Sequence, residues 1–427
     1  MEIRIRTLTP IWTGDINRQC TKLRETSILG SLRWWFEALV RGLGGYACDP
    51  TSEDRCKLDQ KKFQRSTIKE DKFIQEALND QKICPACQLF GCTGWSRRFR
   101  LEVDKLTLVN LKFVTKIKCP SFRTDLKWWI NKTLGEYPVG FYGETKLNVI
   151  SSYKEIEDIV LFLLKLISSA GGFCAKTQNG FGIFIIKDVK KKNIEDGYNN
   201  FQNLISKSTS LPKSHNFNLP NFSNFFKIDV KIRDINAFKK KLMGDISGSS
   251  NNYILSGFAI KYLLRTEFKN LRRLPVTNFK HIRDACNNIV ERIDDEISKL
   301  AQMIKKEGNK KRREKLKEKR NKLELLRRKY NPRKVVARYL FGSDLEKEKW
   351  ASRINISHVY KVNSDFYFRI WGEIPPLLDY DNDIIVKFDR DKVIEQIKSI
   401  LESCFGSNVL EFGEIKFKDQ LLEEVLE

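Results

Sequence analysis

The sequence predicts an α+β fold of two tandem ferredoxin-like domains, with a long basic helical insertion in the second. Three observations predict it. The N-terminal half reads strand, helix, strands, helix, strand, the order of a split βαβ unit. A second series of strand and helix signals begins near residue 225. Within that series lies a stretch of almost continuous charge. At 427 residues the chain exceeds one ordinary domain, and its 41% hydrophobic content is enough for real cores. The expected domains are 1–190, carrying a cysteine-rich insertion, and 225–427, carrying a charged helical insertion at 281–334. Residues 191–224 are expected to link them. No internal repeat is clear.

Each element has a local reason. Ile3, Ile5 and Thr7 alternate with Glu2, Arg4 and Arg6 over residues 2–9, the period of a strand. From Thr26 to Leu43, apolar residues Ile28, Leu32, Trp35, Phe36 and Leu39 recur at helical spacing, and Gly44-Gly45 stops the helix. Arg33, Glu37 and Arg41 stand four apart on another face, where Glu37 can pair with both arginines. Residues 46–100 read as irregular, and strands are expected at 101–117. A second amphipathic helix runs from Lys154 to Ser168 and a strand from Ile183 to Ile186. The Asn- and Ser-rich run 193–224 reads as linker. Beyond it come a strand at 225–232, an apolar segment at 253–264 and a helix at about 281–330. Strands at 366–371, 384–388 and 410–416, with a helix at 391–403, complete the second domain.

Charge points to a polyanionic partner. Lys and Arg number 78 against 54 Asp and Glu, for a net charge of +24. Residues 305–334 hold sixteen Lys/Arg and four Glu, a net of +12 and half of the total. The remainder is equally basic in sum, so the charge is not confined to one arm. No apolar run approaches the ~18 residues of a membrane span. The opening residues lack the apolar centre of a signal peptide, so a cytoplasmic protein with reduced thiols and no membrane partner is expected.

The most informative segment is SSAGGFCAKTQNGFGIF at 168–184. Gly171, Gly172, Gly180 and Gly182 remove Cβ atoms, which permits close backbone approach. Lys176, Thr177, Gln178 and Asn179 lie between the pairs and can donate hydrogen bonds. Such a loop suits a phosphate backbone. It lacks the G-K-[ST] of a Walker A loop, and its helix precedes the glycines, unlike a dinucleotide fingerprint. A plain turn between helix and strand is the competing reading. Arg97, Arg98 and Arg100, following Trp95, are further candidate phosphate contacts, as are Arg272 and Arg273; solvated surface charge is the alternative for each.

Cys84 and Cys87 form a C-x-x-C, with Cys92 beyond it and Cys48 and Cys56 upstream. Cys48, Cys56, Cys84 and Cys87 are the candidate ligands of a structural zinc, though their spacing is loose and a lone C-x-x-C often binds no metal. No other cofactor is expected. The histidines, His215, His281 and His358, form no evident acid–base pair. Asp379, Asp381 and Asp383 lack the Gly and Glu of a calcium loop and read as a solvated turn.

Four motifs in order, TPIWTGD at 9–15, RETSILGSLRWWFEALVRGLGG at 24–45, CPACQLFG at 84–91 and GGFCAKTQNGFGIF at 171–184, resemble the RAMP superfamily of CRISPR effector complexes. The Arg-Trp-Trp helix is similar to that of the first-numbered RAMP subunit of type III-B (Cmr) complexes. ARYLFGS at 337–343 echoes the LFG element. The resemblance implies RRM-like ferredoxin domains, a glycine loop near an RNA path, and other RAMP-type subunits, guide RNA and target RNA as partners. Carried over, Gly171, Gly172, Lys176, Gly180 and Gly182 match that loop, with Gln178 where the family often has a basic residue. Arg24, Arg33 and Arg41 match basic positions around the tryptophan helix. The catalytic aspartate loop of the family's RNA-cleaving subunit has no counterpart here. The resemblance thus implies a non-catalytic RNA-binding subunit. A RAMP-type endoribonuclease processing repeat RNA, with Tyr153 or Lys176 near the glycine loop, is the alternative. A basic scaffold that touches only other subunits is a third reading.

Overall fold

The computed structural model of the protein describes residues 1–427 except 18, 67–70, 114–115, 120–121, 136–137, 208–218, 244–255, 329, 343–350 and 380–383. His215, Asp381 and Asp383 lie outside the described residues. The fold is α+β with antiparallel sheets. Among the described residues no helix is long and apolar enough to cross a membrane.

The first sheet contains β1 (Glu2–Thr7), β2 (Arg100–Val103), β3 (Glu144–Ile150) and β4 (Phe184–Lys187). Their order is β2-β3-β1-β4 and every pair is antiparallel. Ile5 of β1 faces Thr145 on one side and Ile186 on the other. Helix α1 (Glu25–Gly42) crosses from β1, and α3 (Lys154–Ala170) from β3 to β4; the short α2 (Pro85–Phe90) lies between α1 and β2. Alternation explains β1, whose Ile3, Ile5 and Thr7 are buried while Glu2 and Arg4 are exposed.

The second sheet contains β5 (Phe225–Ile232), β6 (Ile354–Ile356), β7 (Tyr360–Val362), β8 (Asp365–Glu373), β9 (Leu410–Phe412) and β10 (Lys416–Phe417). Its path β6-β8-β5-β9 repeats the order of the first sheet, strand for strand; β7 adds to β8 and β10 to β5. The repeat is one of topology and is invisible in the residues.

The expected linker is partly wrong. Residues Lys191–Ser206 form a helix, α4, that packs on α3. Its buried face is Ile194, Gly197, Phe201 and Ile205, a helical spacing hidden among Asn and Lys. A Cβ on Gly197 would stand 2.2 Å from the Asp158 carbonyl oxygen, so glycine permits the close crossing. The 46–100 region is also more ordered than expected, with helices at Gln60–Ser66 and Asp71–Asp80 besides α2.

The chain divides into two compact units, and not at 190–224. One comprises 1–261, 354–373 and 401–427, and so contains both sheets. The other comprises 262–353 and 374–400. The reason lies in the first unit's core. Trp35 of α1 stacks on Trp371 of β8 at 5.5 Å and packs on Phe225 of β5 at 5.1 Å. Arg369 of β8, buried, donates to Asp229 at 2.8 Å and to the Ser168 and Gly171 carbonyls at the end of α3. Two sheets that share aromatic rings and a buried guanidinium form one core.

The second unit contains α6 (Phe279–Lys306), α7 (Lys310–Arg327) and α8 (Pro332–Phe341), with the C-terminal part of α5 (Gly257–Asn270). The single helix expected over 281–330 is a hairpin. It breaks at Gly308, and Asn309 caps α7 by accepting from the Arg312 N–H at 3.2 Å. Lys319–Glu296 (2.8 Å) and Arg327–Asp294 (2.7 Å) tie the two arms. Helices α2 and α8 share one design: each opens on a proline and closes with LFG, the glycine at φ +88° in Gly91 and +83° in Gly342.

Candidate nucleic-acid interface

The glycine loop follows α3. All four of its glycines are buried, and each closes against protein. A Cβ on Gly171 would meet the Trp35 and Trp371 rings at 2.6 and 2.8 Å. On Gly182, at φ +89°, it would stand 2.1 Å from the Phe173 carbonyl oxygen. On Gly180, at φ +104°, it would strike His358. Gly172 lies against the Gly182 carbonyl and accepts from the Trp35 indole at 3.1 Å. The expectation that these glycines let an RNA backbone approach is therefore corrected: they let the chain approach itself.

The rim of the loop, Cys174 to Gln178, is partly exposed. Lys176 adopts a left-handed conformation at φ +64°, donates to the Thr133 carbonyl at 3.1 Å and stands 4.9 Å over the Trp12 ring. Trp12 belongs to the TPIWTGD segment, which bridges the loop at Ala175. The Gln178 carbonyl accepts from the buried Lys261 at 2.9 Å. His358 is wholly buried among Phe113, Phe181 and Phe258, and accepts from the Gly257 N–H at 3.0 Å. Burial pushes its pKa down to about 3, so it is neutral. Trp12 was legible in its motif; the roles of Lys261 and His358, distant in sequence, were not.

The other predicted cations fall into two groups. Arg33 and Arg41 are turned inward. Arg33 donates to Glu37 (2.8 Å), to the Gly91 carbonyl (2.9 Å) and to the Cys87 sulfur (3.2 Å). Arg41 donates to the carbonyls of Ala47, Cys48 and Pro220. Burial raises the Glu37 pKa, against the opposing pull of the two arginines. These donors hold the fold together, which corrects their reading as RNA contacts. Arg24 is half-buried at the start of α1, with its Nε buried. Arg97 and Arg100 are exposed, and Arg98 lies partly exposed over the Tyr153 ring at 4.6 Å. In the second unit, Arg272 and Arg273 are exposed, and α7 buries none of its residues. The cysteines Cys48, Cys56, Cys84 and Cys87 come together, their sulfurs all within 4.8 Å of one another.

Most of these features lie in one segment. Residues 4–185 match the RAMP superfamily. The resemblance read from the four motifs is borne out over that span. Among curated proteins none matches the chain. Solved structures similar to it include the apo form of Cmr1 from Pyrococcus furiosus, at 14% identity over 96% of this chain and 97% of that one, with a TM-score of 0.37. A chain of type III-B Cmr-beta bound to cognate target RNA and AMPPnP in the presence of ssDNA is similar at 12% identity over 96% and 99%, with a TM-score of 0.38. A chain of type III-B Cmr-beta bound to cognate target RNA is similar at 14% over 94% and 99%, also at 0.38. The RAMP segment includes most of the first sheet, with α1, α3 and the glycine loop.

Proposed function

We propose that this chain is a non-catalytic RNA-binding subunit of a type III-B CRISPR (Cmr) ribonucleoprotein effector complex, contacting guide RNA or the guide–target duplex in antiviral defence. Its two sheets, with the same four-strand order, are read as tandem ferredoxin-like domains. It acts in the cytoplasm beside other RAMP-type subunits. Base pairing supplies sequence specificity, and the protein reads backbone.

The observation that carries this reading is the RAMP match over residues 4–185 in a chain of net charge +24. Lys176, Arg97, Arg98 and Arg100 are the matched segment's candidate phosphate contacts. The burial and neutrality of His358 support a binding role, since a proton shuttle must reach its substrate. The test incubates the purified chain with labelled repeat-containing RNA at rising salt and scores binding and cleavage separately. Binding without cleavage is expected, with a log–log salt slope of about 0.7 per phosphate neutralised. Cleavage that survives a fresh preparation would install the endoribonuclease reading. Absence of binding at low salt would leave a scaffold that contacts only other subunits.

A further inference from the structure

Outside the RNA reading, one side-chain cluster has chemistry of its own. Three segments converge on it: the loop after α1, which supplies Cys48; the turn before Gln60–Ser66, which supplies Cys56; and the start of α2, which supplies Cys84 and Cys87. All four are buried or nearly so, and all are free thiols. The Cys48 sulfur lies 3.5 Å from that of Cys87 and 3.7 Å from that of Cys84. A tetrahedral ion with metal–sulfur bonds of about 2.3 Å sets its ligand sulfurs about 3.8 Å apart. The spacing fits one ion and is too small for an iron–sulfur cluster held between the four sulfurs.

Two further observations favour a metal over four neutral thiols. The Cys84 backbone N–H points at the Cys56 sulfur at 3.4 Å, so a main-chain donor is already aimed at a ligand atom. Charge is the second. The row Arg33–Glu37–Arg41, in which Glu37 is buried and both arginines are partly buried, holds two guanidiniums against one carboxylate, and so has one positive charge in excess within the row. Arg33 turns this excess onto the Cys87 sulfur at 3.2 Å, and Arg41 turns onto the Cys48 carbonyl at 3.1 Å. Asp49 also acts on Arg41, but neutral thiols would leave Arg33 donating to an uncharged sulfur at a partly buried site. Four thiolates around a divalent ion carry a net −2, which the arginines offset in part.

We propose that Cys48, Cys56, Cys84 and Cys87 bind one zinc ion as four thiolates, releasing their four protons on binding, with Arg33 and Arg41 as the positioning counter-charges. The ion staples the 46–100 region onto the tryptophan helix. This explains why the arginines expected to face RNA face the cysteines instead. Because the proposal concerns the stability of that region, it stands or falls apart from the RNA reading.

The test uses the full-length chain purified without chelators. Elemental analysis is expected to give one zinc per chain. X-ray absorption at the zinc edge should show four sulfur ligands at about 2.3 Å. Titration with an organomercurial should release the full equivalent as four thiols react. Cys92→Ser, at the neighbouring cysteine outside the tetrad, should keep one equivalent, while Cys84→Ser or Cys87→Ser should lose most of it. Should the latter variants not fold, the wild-type measurements decide alone. Three results would overturn the proposal. One is less than a tenth of an equivalent both as purified and after incubation with zinc. Another is an absorption edge showing nitrogen or oxygen ligands. The last is an intact mass showing a disulfide within the tetrad.

Discussion

The glycine loop and helix α7 both looked like nucleic-acid surfaces in the sequence, and the fold treats them oppositely. The loop has four glycines and one lysine; its glycines are buried and its lysine is anchored to Thr133 and Trp12. Helix α7 has ten Lys/Arg against three Glu, and none of its residues is buried. The loop is constrained by packing and contributes little free charge. The helix contributes charge and little packing. A glycine run marks close backbone approach but not what approaches, whereas a run of like charges has to face solvent because burial would desolvate it. Stability and RNA affinity should therefore separate between the two regions.

The largest effect should come from Gly182→Ala. The left-handed backbone at +89° and the 2.1 Å approach to the Phe173 carbonyl leave no room for Cβ. A loss of about 3 kcal/mol or more is expected by denaturant unfolding, or failure to fold. A folded variant of wild-type stability would show that the loop is looser than its packing implies.

Next in size is an acid effect centred on the same loop. His358 is pushed down to about 3 by burial, so its neutral form is favoured in the fold. The unfolded chain takes up that proton near pH 6.5 and the native state does not. The stabilisation is complete above that pH and is lost progressively as pH falls toward 3. Replacing His358 with glutamine should flatten stability between pH 6.5 and 4, measured by urea midpoints at each pH. An unchanged slope would mean the histidine is solvated.

Neutralising Lys310, Lys311, Arg312, Arg313, Lys315 and Lys317 of α7 to glutamine should leave the unfolding midpoint within about 0.5 kcal/mol of wild type. RNA affinity should fall, and the salt slope should shrink by about 0.7 for each phosphate that the helix no longer neutralises. The drop should be equal for guide-like and scrambled RNA. A loss restricted to guide-like RNA would assign the hairpin a reading role.

The smallest effect is expected from Lys176→Ala. It removes a partly exposed cation over Trp12, worth about 0.5–1 kcal/mol, and at most one phosphate contact. A several-fold change in RNA dissociation constant is expected by fluorescence anisotropy. A change of a hundredfold or more would make the loop rim the principal binding surface.

Much of the first sheet was legible. The alternation of Ile3 and Ile5 and the spacing of Ile28, Leu32 and Phe36 report burial of one face directly, and the four motifs lie in the segment that matches the RAMP superfamily. Helix α4 was not legible because Asn and Lys dominate its composition, while its packing needs only Ile194, Gly197, Phe201 and Ile205. The break at Gly308 was written in the sequence but outweighed by the helix formers around it. The repeated strand order is marked by no recurring residues and was expected only from the order of strand and helix signals in each half, since topology depends on which strands pair and not on which residues they carry.

The sequence by itself determined the local elements, the charge of +24 and its concentration in one arm, and the residue types able to hold phosphate or metal. Tertiary structure alone decided which of those residues face inward. Helix α1 shows why. Its period identified Arg33, Glu37 and Arg41 as one row and paired them correctly, but a helix can be covered on more than one side. Periodicity reports which side chains share a face, and only the packing of distant segments, here the loop at Cys48 and the start of α2, decides whether that face meets water or four sulfurs.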